Sequence, residues 1–187
     1  MILIGVPYHE NKRYALNHVM NWVRDQLYEE VEVVMRVHTG QYGEKNAVKK
    51  QFEFFREYAL KINADYMYIM EADTIPPLVT ITKLVSHNKD IIGALYNYRD
   101  SDNNVVAWKH DDPHKNFIHA EEVVEVDGMG TGAVLISNKA LKAVSWFDYD
   151  QQDADWPYYD KLKEKGFKIY LDPTIKCKHY ATAEKYY

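Results

Sequence analysis

The chain has 187 residues, 47% hydrophobic and 27% charged, which fits a globular protein with a single domain over 1–187 and little left over. Its 23 Lys and Arg against 28 Asp and Glu give a net charge of −5, which argues against a general nucleic-acid binder. No apolar run approaches the ~20 residues of a transmembrane segment; Met1–Glu10 is too short and too acidic for a signal peptide; and a lone cysteine, Cys177, excludes an internal disulfide and fits the reducing cytoplasm.

Ile2–Val6 reads as a buried strand stopped at Pro7. Asn11–Tyr28 reads as a helix, with Leu16, Val19, Met20, Val23 and Leu27 on one stripe. Val31–Val37 is a second strand. Glu44–Ile62 is a strong helix whose Val48, Phe52, Phe55, Ala59 and Ile62 form one apolar face. Tyr66–Met70 is a third strand, which Pro76-Pro77 prevents from continuing. Leu78–Ser86 is a short helix and Asp90–Tyr96 a fourth strand. Arg99–His119 is polar and without period, longer than an ordinary connection, as functional loops tend to be. Val123–Val126 and Thr131–Ile136 read as strands, Asn138–Val144 and Asp155–Lys165 as helices, and Phe167–Leu171 as the last strand. Strands alternating with helices in this way predict βαβ units and a mainly parallel sheet.

The segment after the third strand carries the clearest chemistry. Side chains alternate along an extended chain, so Glu71 and Asp73 point the same way. They stand at the carboxyl end of a parallel strand, where open α/β sheets bind ligands. Two carboxylates there suit a hard cation, Mg²⁺ or Mn²⁺, whose remaining ligands come from a phosphate substrate. A solvated turn would show the same acid-x-acid pattern.

Glu71-Ala72-Asp73 followed by Pro76 and a short helix resembles the Asp-x-Asp hallmark of GT-A fold glycosyltransferases, in particular the inverting family 2 group. The resemblance covers nearly the whole chain and implies a single Rossmann-like fold with a mixed, mostly parallel central sheet flanked by helices. It places Asp73 on the metal at the nucleotide diphosphate and Glu71, a Glu where the family has Asp, near the ribose or metal. Pro7 and Tyr8 match the family's base pocket, where Tyr8 stacks on a nucleobase; a strand-to-helix turn with an exposed Tyr is the plainer reading. Lys45 and Asn46 resemble the family's basic-Asn step at a helix start, an anion site, or are ordinary first-turn residues. The family's acidic, uracil-reading position is replaced here by Arg36-Val37-His38-Thr39-Gly40, which leaves the base open.

Val126–Ala133, with Gly128, Gly130 and Gly132 in five residues, resembles the family's glycine-rich turn beside the donor sugar, and glycines, Gly130 and Gly132 among them, let the backbone take positive φ and approach a ligand closely; a hairpin explains the glycines too. Register from Gly166 puts Asp155 on the catalytic base and Ala154 where a first acid is expected, with Asp153 as a displaced substitute. Asp155 also suits an N-cap, with Pro157 in the first turn. His179 matches a position that often supplies a third metal ligand, although a histidine near a chain end is commonly a bystander.

The resemblance thus implies a divalent-metal-dependent, inverting transferase that takes a UDP- or GDP-sugar and passes the sugar to an acceptor hydroxyl on a glycan, protein or lipid. The compact length suits a small viral or archaeal member, with acceptor choice left to the Arg99–His119 loop; Asp111, Asp112 and His114 there are a weak metal-cluster alternative. The alternatives are a nucleotidyltransferase, which usually has a glycine-rich basic loop where Tyr8–Arg13 stands, and a non-catalytic, nucleotide-binding descendant of the fold. The 16 tyrosines supply rings that pack on one side and hydrogen-bond on the other.

Overall fold

The computed structural model describes residues 1–38, 46–99, 104–110, 120–151 and 154–187. The elements in chain order are β1 (Ile2–His9), a 3₁₀ turn (Glu10–Ala15), α1 (Leu16–Asp25), β2 (Val31–His38), α2 (Ala47–Lys61), β3 (Tyr66–Met70), β4 (Thr74–Ile75), α3 (Thr80–Ser86) and β5 (Ile91–Leu95). They are followed by β6 (Ala107–Trp108), β7 (Val124–Val126), β8 (Gly128–Met129), β9 (Ala133–Ser137), α4 (Asn138–Ala143), α5 (Trp156–Glu164), β10 (Ile169–Lys176) and β11 (Lys178–His179).

The central sheet has the order β2-β1-β3-β9-β5-β10-β7. β1 is parallel to β2 and β3, and β10 to β5. β9 is antiparallel to both β3 and β5, so β2, β1, β3, β5 and β10 share one direction while β9 and β7 oppose them. The sheet is mostly parallel, as the strand–helix alternation predicts, and mixed, as the resemblance implies.

Side-chain alternation splits the core between the two faces of this sheet. Leu3, Met67, Ile69, Val134 and Ile136 meet Phe52, Phe55, Ala59, Leu141 and Leu162 from α2, α4 and α5. Ile4, Val6, Tyr68, Met70 and Leu135 meet Val19, Trp22, Ile81 and Leu84 from α1 and α3. A Cβ on Gly5 would lie 2.8 Å from the Phe55 ring, which is how closely α2 sits on β1.

Several boundaries differ from the sequence reading. β1 runs past Pro7 because β3 pairs with it only as far as Gly5, so the strand is unpaired on that side where proline lacks its N–H. The first helix begins as a 3₁₀ turn, and Met20 (53% exposed) and Leu27 (60%) face solvent while Trp22 takes the buried place. The longer second helix starts at Ala47 and leaves Val48 exposed. β10 continues through Asp172-Pro173 to Lys176, with a register shift against β5 that absorbs the proline. Among the described residues no helix is long and apolar enough to cross a membrane.

Candidate functional site

Strand direction explains why residues far apart in sequence meet. β1, β3, β5 and β10 point the same way, so the segments leaving them emerge at one edge of the sheet. β1 leads into Lys12, β3 into Glu71–Asp73, β5 into Tyr96–Arg99, and β10 into His179 on β11. β9 runs the opposite way, so Thr131 and Gly132, just before it, reach the same edge. β11 pairs with β4 through His179 and Thr74, and the Tyr180 N–H donates to the Asp73 carbonyl at 2.7 Å. The chain's last strands are thereby tied to the carboxylate pair.

Glu71 and Asp73 do converge, and they converge on a lysine. Lys12 Nζ donates to Glu71 Oε2 at 2.9 Å and to Asp73 Oδ1 at 2.8 Å. Arg99 forms an ion pair with Asp73 Oδ2. The Asp73 side chain is 0% exposed. His179 Nε2 lies 3.6 Å from Asp73 Oδ2 and accepts from Arg99 Nε at 3.1 Å. His179 Nδ1 is 2.7 Å from the Asn97 carbonyl, an acceptor only, which assigns the proton to Nδ1 and the lone pair to Nε2. Burial would raise the Asp73 carboxyl, but the Lys12 ammonium and the Arg99 guanidinium against it more than offset this and hold the group well below the usual carboxylate range. Burial likewise works against charge on Lys12, and Glu71 with Asp73 overcomes it, so the ammonium is held above the ordinary lysine value.

Asp155 stands across a cavity of about 420 Å³ lined by Glu71, Tyr96, Tyr98, Arg99, Val106, Asp155 and His179. Asp155 immediately precedes α5, but its side chain does not cap that helix. Instead its Oδ1 accepts from Thr131 Oγ1 at 2.7 Å. Tyr159, on the first turn of α5, is buried, and burial with the Asp155 charge beside it pushes its phenol up. Ala154 is buried, its carbonyl held by the Tyr149 hydroxyl at 3.0 Å.

The glycines beside this cavity differ from expectation. Among the described glycines only Gly166 has positive φ, so Gly130 and Gly132 do not serve left-handed backbone. What approaches them is Tyr96: a Cβ on Gly130 would lie 2.0 Å from the Tyr96 hydroxyl, and the Gly132 N–H donates to that hydroxyl at 2.9 Å. Gly130→Ala should therefore push the Tyr96 ring out of place. Overpacking of this kind costs about 1–3 kcal/mol, to be read as a lower urea midpoint at unchanged m; a midpoint equal to wild type would show that the ring has room to shift.

Among the described residues, Pro7, Tyr8 and Asn46 do not line this cavity. Pro7 and Tyr8 are buried at the end of β1, and Tyr8 is only 5% exposed within the core, so base stacking on it requires its cover to move. Asn46 is the left-handed residue that opens α2, with φ 63°, and its side chain does not cap the helix. Lys45, Asp153, Asp111, Asp112 and His114 lie outside the described residues. Lys12 and Thr131 were not anticipated at the site; Tyr96 was, as one of the tyrosines near strand ends. The signal for Lys12 was topological: a basic residue after β1 and acids after the neighbouring parallel β3 end at the same edge.

A divalent cation, which the resemblance implies, can be tested against these groups. Asp73 Oδ2 and the unprotonated Nε2 of His179 form a carboxylate–imidazole donor pair, and the other ring nitrogen of His179 is fixed by a backbone carbonyl, as in many metal-ligating histidines. That donor chemistry fits Mn²⁺. Among the described residues no group of three or more His, Cys, Asp or Glu side chains gathers to hold a metal. The pair therefore fits a cation that takes most of its ligands from elsewhere, as phosphate-bound metals do.

No family model and no curated protein matches the sequence. Solved structures do match the fold. A197 from STIV superposes with a TM-score of 0.69 at 16% identity, over 99% of this chain and 88% of that one. GalNAc-T7, solved with UDP, GalNAc and Mn²⁺, gives a TM-score of 0.61 at 10% identity, over 98% of this chain and 44% of its own. TarS residues 1–349 from S. aureus gives 0.54 at 13% identity, over the whole of this chain and 59% of that one. At these identities the likeness establishes the fold: a mixed α/β sheet of the GT-A-like glycosyltransferase kind.

Proposed function

We propose that the protein is an inverting glycosyltransferase of the family 2 type, moving a sugar from a UDP- or GDP-sugar to an acceptor hydroxyl with a divalent cation, Mn²⁺ or Mg²⁺, as cofactor. One observation carries the reading: Asp155, Glu71 and His179 line a single cavity, directly beside the buried Asp73. The cavity lies at the carboxyl edge of a GT-A-like sheet, the edge at which such sheets bind ligands.

The donor's diphosphate sits over Asp73, with its nucleoside end toward Pro7, Tyr8 and Asn46, Lys45 being a further residue that the resemblance assigns to it, and its sugar beside Gly130 and Gly132. Asp155 is the general base. It takes the acceptor hydroxyl's proton onto a carboxylate oxygen while the hydroxyl oxygen bonds to the anomeric carbon from the side opposite the diphosphate. The bond from that carbon to the diphosphate oxygen breaks, and its electron pair leaves with the diphosphate. Thr131 holds Asp155 Oδ1 and so fixes the carboxylate's orientation. Asp73 and His179 would hold the cation, with Glu71 at its margin; when bound, it offsets charge on the leaving diphosphate. The acceptor, a glycan, protein or lipid, enters past Tyr98 and Val106.

The test is a panel of UDP- and GDP-sugars with Mn²⁺, scored by nucleoside diphosphate release and by thermal stability. One nucleoside diphosphate at about a hundredfold excess over its Kd should stabilise by about 2.7 kcal/mol, and its sugar should turn over. If no nucleotide raises Tm and no donor is consumed, the reading is wrong.

A further inference from the structure

The groups that would meet a cation are already paired in the free protein. Glu71 and Asp73 bring two negative charges, and Lys12 and Arg99, in contact with them, bring two positive ones. The cluster is neutral as it stands. Arg99 also donates to His179 Nε2, the nitrogen a metal would need. A divalent cation arriving alone meets no uncompensated carboxylate and is repelled by two fixed cations at contact distance. A diphosphate arriving alone attracts Lys12 and Arg99, but drawing them away strips Asp73, 0% exposed, of its partners. A diphosphate and a divalent cation arriving together leave every group paired.

We propose that Lys12 and Arg99 exchange partners during donor binding: they hold Asp73 and Glu71 in the free protein, then move to the diphosphate, so that diphosphate and metal bind as a coupled pair. The inference rests on the nucleotide-sugar reading above and deepens it. Asp73 is the fixed member, its backbone tied to Tyr180 and its side chain fully buried. The cations are the movable members. Arg99 lines the cavity and its side chain is 38% exposed, whereas Lys12, on a short 3₁₀ turn, is 15% exposed, so Arg99 is the freer of the two to turn toward a diphosphate. The same rotation of Arg99 uncovers His179 Nε2. Coupling of this kind is reciprocal: the factor by which diphosphate raises metal affinity is the factor by which metal raises diphosphate affinity.

The experiment measures Mn²⁺ binding to the full chain by the electron paramagnetic resonance signal of free Mn²⁺, and UDP and GDP binding by calorimetry, each alone and together. Mn²⁺ held by nucleotide without protein is subtracted. In wild type, UDP or GDP should raise Mn²⁺ affinity about tenfold or more, the scale of a close charge pair, and Mn²⁺ should raise nucleotide affinity equally. Lys12→Met and Arg99→Met should each bind Mn²⁺ alone about tenfold more tightly than wild type and bind the nucleotide less tightly. Opposite signs for the two ligands are what a merely structural role does not produce. Lys12→Arg should keep the wild-type pattern. Arg99 is the more exposed of the two, so Arg99→Met reads the sign if Lys12→Met fails to fold. If wild type binds nucleotide with Mn²⁺ but neither Met variant gains affinity for Mn²⁺ alone, the exchange is overturned and the glycosyltransferase reading stands. If wild type binds neither UDP nor GDP, with or without Mn²⁺, both are overturned.

Discussion

Asp155→Asn should lower kcat for sugar transfer about a thousandfold while leaving the protein folded and able to bind nucleotide. General-base catalysis contributes about 10²–10⁴-fold, and the amide removes the basicity with almost no change of shape. Thr131 Oγ1 donates to Asp155 Oδ1, and an amide oxygen in the same place accepts that bond equally well, so the rotamer should survive. Asp155 makes no helix cap that the substitution would break. Stability should thus stay within about 0.5 kcal/mol of wild type. The measurement is nucleoside diphosphate release at saturating donor and Mn²⁺, alongside nucleotide binding by calorimetry. A kcat within tenfold of wild type would place the base elsewhere. Loss of nucleotide binding in step with kcat would mean that Asp155 acts on the donor rather than on the acceptor.

The contrast between Asp155 and Lys12 shows what the sequence exposes and what it conceals. β3 was legible because Tyr66–Met70 is an apolar run with a sharp end, and the two-residue period then forces Glu71 and Asp73 to one side. Lys12 was not, because its partners are 59 and 61 residues away and no local pattern records that β1 and β3 are neighbours. The insertion of antiparallel β9 between β3 and β5 was hidden for the same reason, yet it is what carries Thr131 to Asp155. Gly130 and Gly132 were read as places where a ligand comes close. A glycine does not say what approaches, and here the Tyr96 hydroxyl does. The tyrosine excess thus bears on the site through a ring that shapes it from below. In α1 the stripe held at Leu16, Val19 and Val23, which pack into the core, while Met20 faces solvent and Leu27 lies beyond the helix end at Asp25.

Asp73→Asn should combine the largest loss of stability at the site with loss of metal-coupled nucleotide binding. Removing one partner of a buried ion pair leaves charge uncompensated and costs about 3–5 kcal/mol. The lower figure applies, since Arg99 is more than a third exposed and water screens what remains of it, while Lys12 still has Glu71. About 3 kcal/mol corresponds to a fall in Tm on the order of 10 °C for a chain of this size. The pH dependence has a definite sign. The Asp73 carboxyl is held below its unfolded value of about 3.9, so its contribution is present above about pH 4 and is lost as pH falls through the lower folded value. Lys12 is held above its unfolded value of about 10.4, so its contribution is present below that pH and is lost as pH rises through the higher folded value. The stability gap between wild type and Asp73→Asn should therefore be widest between about pH 4 and pH 10 and should narrow on both sides. Urea midpoints at pH 3 and pH 7 read the acid side directly. A gap as wide at pH 3 as at pH 7 would mean that the ionised carboxylate is not what Lys12 and Arg99 hold in place, and the paired cluster would lose its standing as the ground state of the site.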